Sequence, residues 1–180
     1  MNIILKVGFC CVALIACGRV ASAQAAGSSD PCGNSAAESS FWGAVRGKVV
    51  KVEDGDTFFI SVKGRGASRV SLVGVDAPER GEPFGEPARR LLETMLNGKD
   101  VEVWVKAEVG MSRRVPAELA GVVHLRDMGM LDVNLLLIQA GLARHKKSEP
   151  YSMSNHVECH YMRAEEDARI ARRGLWRGAA

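Results

Sequence analysis

Residues 44–75, AVRGKVVKVEDGDTFFISVKGRGASRVSLVGV, decide the fold. The stretch divides into three β-rich runs, 44–52, 57–62 and 68–75. Each is dense in valine, isoleucine, phenylalanine or threonine, the residues that suit a pleated, half-buried surface. Asp54-Gly55-Asp56 breaks the first run from the second, and Lys63-Gly64-Arg65-Gly66 breaks the second from the third. Both are turn compositions. A three-stranded meander this short leaves two open edges, and such edges must be paired or closed.

The chain downstream supplies the closure. After Pro78, Pro83 and Pro87, the apolar residues Ala88, Leu91, Leu92, Met95 and Leu96 recur at helical spacing, and Asn97-Gly98 stops the helix. Residues 101–105 (VEVWV) predict a fourth strand and 119–125 (LAGVVHL) a fifth, separated by a polar loop carrying Arg113-Arg114. A short helix over 133–140 ends at Gly141, and a last helix over about 156–173 closes at Gly174. On that last helix Ala164, Ala168 and Ala171, with Tyr161, predict a face packed on the barrel. Three strands, a helix, two strands and two helices predict an α+β, mainly β fold. The expected architecture is an OB-type five-stranded Greek-key barrel with three helices.

Upstream, Lys6 precedes the apolar run 7–16 (VGFCCVALIA), too short to span a bilayer and suited to a signal segment. Residues 1–23 therefore read as a signal peptide, 24–40 as a flexible Ala/Ser/Gly-rich arm and 41–180 as the folded domain. Two processing routes stay open. Ala21-Ser22-Ala23 is a cleavage site before Gln24, while Leu14-Ile15-Ala16-Cys17 has the form of a lipobox with Cys17 lipidated. Export to the periplasm or medium is expected, with lipid anchoring at Cys17 as the alternative and contact with membrane only in that case. Either route leaves Cys32 and Cys159, a pair that an oxidising compartment would join. A loop that long would gain roughly 4–5 kcal/mol from its closure.

Of the 180 residues 47% are hydrophobic and 25% charged, which excludes a disordered or multi-span membrane protein. Lys6 and Arg19 lie in the first 23 residues, so 22 of the 24 basic residues face all 21 acidic ones in the remainder. A nearly neutral domain does not bind nucleic acid by bulk charge, so any anion recognition must be local. A monomer is expected.

Two carboxylate segments carry the chemistry. Asp54-Gly55-Asp56-Thr57 sits at the first turn, and Asp76-Ala77-Pro78-Glu79 at the end of the third run. In a closed meander both fall at one rim. Converging carboxylates bind a hard cation, share protons or spread apart. A divalent ion held by Asp56, Asp76 and the Ala77 carbonyl, with waters completing its shell, fits this pattern. Glu79 is then placed to act as general base on such a water. His156 and His160 stand at i, i+4 beside Cys159, but no further ligand cluster accompanies them in sequence, and zinc is not expected.

These segments, with Leu72-Val73-Gly74-Val75 ahead of Asp76, and with Val133-Asn134, Gly141-Leu142-Ala143 and Gly174-Leu175-Trp176, resemble the thermonuclease (staphylococcal nuclease-like) family over about 44–176. The resemblance implies an OB-fold that hydrolyses phosphodiester bonds in DNA and RNA with Ca²⁺, and single-stranded DNA or RNA is the expected partner of an active enzyme. It implies Asp56, Asp76 and Ala77 as metal ligands and Glu79 as base. The whole chain is also similar to the exported succinoglycan-biosynthesis type found in rhizobia, which implies an envelope or polysaccharide partner. Two positions depart from the family pattern. Ser71 stands where members carry an arginine five residues before the second aspartate, and Glu118 where they carry another. A planar guanidinium suits phosphate oxygens, and its loss from a phosphoryl-transfer site costs roughly 10³–10⁵ in rate. Arg69, Arg113 and Arg114 are the expected substitutes. A domain that has lost catalysis and serves as a binding module is the alternative.

Overall fold

In a computed structural model, the described residues are 30–33, 41–109, 118–147 and 153–178. The signal peptide 1–23, Cys17, most of the 24–40 arm, and Arg113 and Arg114 lie outside them.

The three strands of the meander are β1 (Gly43–Val52), β2 (Thr57–Val62) and β3 (Gly66–Leu72). They are followed by β4 (Val75–Asp76), α1 (Gly85–Leu96), β5 (Asp100–Val109), β6 (Glu118–Leu125) and β7 (Leu131–Asp132). The chain finishes with α2 (Val133–Gln139), β8 (Arg144–His145) and α3 (Asn155–Ile170). Strands pair in the order β3-β2-β1-β5-β6-β7, and β3 also pairs with β6 in parallel, from Arg69 with Glu118 to Leu72 with Gly121. That last ladder closes a five-stranded barrel, which removes the exposed edges of the meander.

Alternation within the strands fills the barrel. Phe58 and Ile60 of β2, Val70 and Leu72 of β3, and Val101, Val103 and Val105 of β5 all point inward and are buried. Helix α1 lays Ala88, Leu92 and Leu96, a single stripe at four-residue spacing, against this core. Pro87 falls in its first turn, where the missing N–H has no helical partner to lose.

The structure corrects three element boundaries, the first being that of the fourth strand, which runs over Asp100–Val109 rather than 101–105. The third strand ends at Leu72 rather than Val75, because Gly74 adopts φ +77°. A side chain there would be strained, and its Cβ would come within 2.4 Å of Met153 and 3.1 Å of the Tyr161 ring. Val75 and Asp76 leave the barrel to pair with His145 and Arg144 instead. The last helix ends at Ile170, so Ala164 and Ala168 are buried against the fold while Ala171 is exposed.

Polar ties fix the helices. Asn134 is fully buried on α2; its Oδ1 accepts from the Val123 N–H (3.0 Å), and its Nδ2 donates to Val73 O (2.8 Å) and Gly121 O (3.2 Å). One side chain thus joins β6 to the turn between β3 and β4. The Tyr161 hydroxyl donates to the Asp132 carboxylate at 3.0 Å, and that same carboxylate caps α2 by accepting from the Leu135 N–H. Gly141 and Gly174 meet face to face, with the Leu175 N–H donating to Gly141 O at 2.8 Å. Cys32 and Cys159 are joined, with an S–S distance of 2.11 Å and a Cα–Cα distance of 5.7 Å.

Candidate active site

The β1–β2 turn delivers Asp56 to the rim through a close approach at Gly55. A Cβ on Gly55 would lie 2.6 Å from the Ala77 Cβ and 2.8 Å from the Ala88 Cβ, so only glycine lets this turn sit against the Asp76–Glu79 segment and α1. The contact is sealed by the Ala77 N–H, which donates to Asp56 Oδ2 at 3.2 Å. The Thr57 hydroxyl donates to Asp56 Oδ1 at 2.9 Å, and the Asp56 N–H donates to Asp54 Oδ1 at 3.1 Å. Burial pushes the Asp56 carboxyl up to about 6, and neighbouring Asp54 adds to the rise against the two hydrogen bonds.

Asp76 reaches the rim by a different route. It is the second residue of β4, directly opposite Arg144 of β8, and directly opposed residues in an antiparallel pair project to the same face. Lys146, two residues further on, sets its ammonium 3.1 Å from Asp76 Oδ1. Asp56, Asp76, Ser71 and Lys146 together line a cleft of about 240 Å³, with Lys147 and Ala120 on its wall. On the other side, Asp76, Ala77, Glu79 and Arg144 line a second cleft of about 470 Å³, with Phe84 and Leu175. Glu79 also faces a third of about 250 Å³, shared with Asp54, Glu53, Lys51 and Arg80. Asp76 is thus common to the first two clefts and Glu79 to the second and third.

The two carboxylate segments of the sequence therefore share one rim, as does Ala77. The donor set is hard oxygen throughout, which suits Ca²⁺ or Mg²⁺ and not a soft metal. No three of these carboxylates bring oxygens within 4.8 Å of one another; among the described residues the one group that does so with side-chain ligands is Asp30, Cys32 and His160, elsewhere on the surface. Two aspartates and a carbonyl leave most of a Ca²⁺ shell to water, which fits an open cleft.

The arginines are placed differently from expectation. Arg69 lines none of the three clefts; its Nε donates to Glu53 Oε2 at 2.9 Å and its Nη1 lies 3.9 Å from Glu118 Oε1. Both acids hold its guanidinium above its ordinary pKa, with the Glu53 hydrogen bond the larger cause. Ser71 does reach the Asp56–Asp76 cleft, so a family position is present without its charge. Among the described residues the cations lining these clefts are Arg144, Lys146, Lys147, Arg80 and Lys51, none of which stood out in the sequence. The signal for Arg144 was its place immediately after Gly141-Leu142-Ala143, but its role depends on the β4–β8 ladder. Its guanidinium lies 5.7 Å from the centre of the Trp176 ring, which Arg169 approaches more closely at 4.2 Å.

Comparison with known proteins agrees with this architecture. Residues 69–178 match the family described as Staphylococcal nuclease homologue. The chain is 30% identical over 136 residues to a micrococcal nuclease of Shigella flexneri, covering 75% of each chain. It is 33% identical over 140 residues to Protein ParB of Escherichia coli, covering 75% of this chain and 74% of that one. It is 31% identical over 135 residues to an uncharacterized endonuclease of E. coli O157:H7, covering 75% and 79%. A closed five-stranded barrel, two aspartates and a glutamate on one rim, and these matches make the chain a member of the staphylococcal nuclease family.

Proposed function

We propose that this protein is an exported, Ca²⁺-dependent phosphodiesterase that cleaves single-stranded DNA or RNA, with Arg144 and Lys146 supplying the phosphate-facing charge. The observation that carries the reading is the position of Asp76 between two clefts, with Arg144 opposite it on one side and Lys146 at 3.1 Å on the other. The family resemblance and the relatives named as nucleases point to the same chemistry.

In this reading Asp56, Asp76 and the Ala77 carbonyl hold the ion, which when bound neutralises a phosphodiester and lowers the pKa of nearby water. Thr57 and the Ala77 N–H fix the orientation of the Asp56 carboxylate. Glu79, exposed at the cleft mouth, accepts the proton of the attacking water. Arg144 offers a planar fork to equatorial phosphate oxygens. Lys146, whose ammonium stands 3.1 Å from Asp76 Oδ1, would be free to turn to the phosphate once Asp76 served as a metal ligand.

Release of acid-soluble nucleotides from single-stranded DNA, with Ca²⁺ or with EDTA, tests the proposal. Ca²⁺-dependent release that Glu79→Gln abolishes is expected. A second reading, a catalytically impaired accessory domain in the cell envelope with a role in exopolysaccharide (succinoglycan) biosynthesis, is favoured by the uncharged Ser71 and by the engagement of Arg69 with Glu53 and Glu118. A folded wild-type protein that binds Ca²⁺ yet releases no nucleotide selects that second reading.

A further inference from the structure

On one face of α3, among residues that line none of the three clefts, the fold gathers a second set of ligands. His156, Cys159 and His160 occupy i, i+3 and i+4 of the helix, one continuous face. The segment carrying Asp30 and Cys32 docks onto that face. His160 Nε2 lies 3.0 Å from Asp30 Oδ2, and His156 Nε2 lies 3.9 Å from the same oxygen. His156 Nδ1 is 3.4 Å from the Cys32 carbonyl oxygen. Ligand atoms of Asp30, Cys32 and His160 all lie within 4.8 Å of one another, and Cys159 Sγ is bonded to Cys32 Sγ. One sulfur, an imidazole nitrogen and a carboxylate oxygen therefore share one 4.8 Å sphere, drawn from two chain segments far apart in sequence, and the second sulfur is bonded to the first.

We propose that the Cys32–Cys159 cross-link is the oxidised form of a zinc site, and that the reduced protein binds Zn²⁺ through Cys32, Cys159, His160 and Asp30. Zinc takes four ligands in a tetrahedron, with bonds of about 2.3 Å to sulfur and 2.0–2.1 Å to nitrogen and oxygen. Ligand–ligand separations in such a tetrahedron are roughly 3.3–3.8 Å; His160 Nε2 and Asp30 Oδ2 stand 3.0 Å apart, and Cys32 Sγ lies within 4.8 Å of ligand atoms of both residues. Mixed sulfur and nitrogen donors select zinc over the hard cations that suit the catalytic rim. His160 is preferred to His156 as ligand because it is nearer to Asp30 and shares a 4.8 Å sphere with Cys32.

The chemistry balances. A dithiol, or a phosphine in vitro, donates two electrons to the S–S bond. The dithiol becomes a disulfide, or the phosphine takes oxygen from water, and two thiols form. Zinc then binds both sulfurs as thiolates and two protons pass to solvent. The segment around Cys32 is tied to α3 in either redox state, by a covalent bond in one and by a metal in the other. Neither the catalytic carboxylates nor the nuclease reading enters this inference.

The experiment uses the full chain carrying Cys10→Ser, Cys11→Ser and Cys17→Ser, so that Cys32 and Cys159 hold its only thiols. Co²⁺ is titrated in excess Ca²⁺, which fills the hard-oxygen rim, before and after reduction with a phosphine. The oxidised chain is expected to show no sulfur-to-cobalt charge-transfer band. The reduced chain should show that band with tetrahedral visible absorption at one equivalent, and one equivalent of Zn²⁺ should bleach both. Cys32→Ser with Cys159→Ser should remove the charge-transfer band, and Asp30→Ala and His160→Ala should each weaken zinc at least about 10-fold. If reduction alone unfolds the chain, recovery of its circular dichroism by one equivalent of Zn²⁺ supports the site. A reduced chain that neither binds Co²⁺ through sulfur nor refolds with Zn²⁺ overturns it, as does binding indifferent to both Asp30 and His160.

Discussion

Asp76 and Arg144 stand directly opposite each other across the two-residue ladder of β4 and β8, a carboxylate and a guanidinium presented on one face. The ladder exists because Gly74 turns the chain out of the barrel, and the Lys146 N–H then donates to Gly74 O at 3.1 Å. A cation at the rim is thereby fixed by backbone pairing, where the family pattern would draw one from β3.

Arg144 and Lys146 should separate in their effects. Arg144→Ala is expected to lower Ca²⁺-dependent cleavage about 100-fold and leave Ca²⁺ affinity unchanged, since removing a phosphate-clamping cation acts on the transition state. Lys146→Ala should lower cleavage less, about 10-fold, and tighten Ca²⁺ by up to about fivefold, because a surface ammonium competes for Asp76 with no more than about 1 kcal/mol. Calorimetry paired with nucleotide release measures both. Equal effects of the two variants on Ca²⁺ binding would refute the assignment.

Asp56 gives the ion-free protein a pH signature. Its carboxyl is raised from the ordinary 3.8 to about 6, so the folded state holds this proton more tightly than the unfolded chain. The contribution to stability is therefore full below about pH 4 and is lost as pH rises through about 6, a span worth about 2–3 kcal/mol. Urea titrations in EDTA at pH 4.5 and 7.5 should show Asp56→Asn gaining on wild type at the higher pH by that order. Ca²⁺ affinity should fall as pH drops below about 6, where protons compete for the same oxygens. Parallel stability profiles for the two proteins would rule this out.

Asn134→Ala should destabilise the fold by about 3 kcal/mol. It leaves the Val123 N–H and two carbonyl oxygens without their side-chain partner in a fully buried place. Because Val73 precedes the turn that carries Asp76, Ca²⁺ affinity should weaken as well. Equilibrium urea unfolding gives the first number and calorimetry the second; a loss under 1 kcal/mol would show that the tie is dispensable.

Ser71→Arg adds charge where the structure has a cleft wall. Ser71 pairs with Thr57 on β2 and Ala120 on β6 and borders the space between Asp56 and Lys146. A guanidinium there is expected to raise cleavage of single-stranded DNA at least about 10-fold, a modest part of what such a cation supplies. Glu79→Gln should erase both the original and the gained activity. A folded Ser71→Arg protein no faster than wild type would mean that Arg144 already saturates the phosphate.

The barrel was legible because its signals are local. The glycine-bearing turns at 54–56 and 63–66, the alternation of Phe58 and Ile60, and the helical spacing from Ala88 to Leu96 each fall within a few residues. The acidic half of the rim was legible for the same reason, since Asp56 and the Asp76–Glu79 segment each lie next to their own turn. The end of the third strand was not. Within 68–75 Gly74 is the one local mark of the break, and Met153 and Tyr161, which pack against it, both lie more than 75 residues away.

What the sequence alone determined was the order of the five barrel strands and three helices, the closure requirement and the carboxylates, because periodicity and turn chemistry are properties of neighbouring residues; the two-residue strands β4, β7 and β8 were not among them. Tertiary structure decided which cations meet those carboxylates. A long basic side chain carries no local signature of its partner: Arg69 is paired with Glu53 across the barrel wall, while Arg144 and Lys146 reach the rim only through pairing of β4 with β8. The same holds for Asp30, which lies 130 residues from His160 in sequence and 3.0 Å from it in space. Such contacts are set by chain closure over long separations, and the free energy that selects among them comes from the packed core and not from the charged residues themselves.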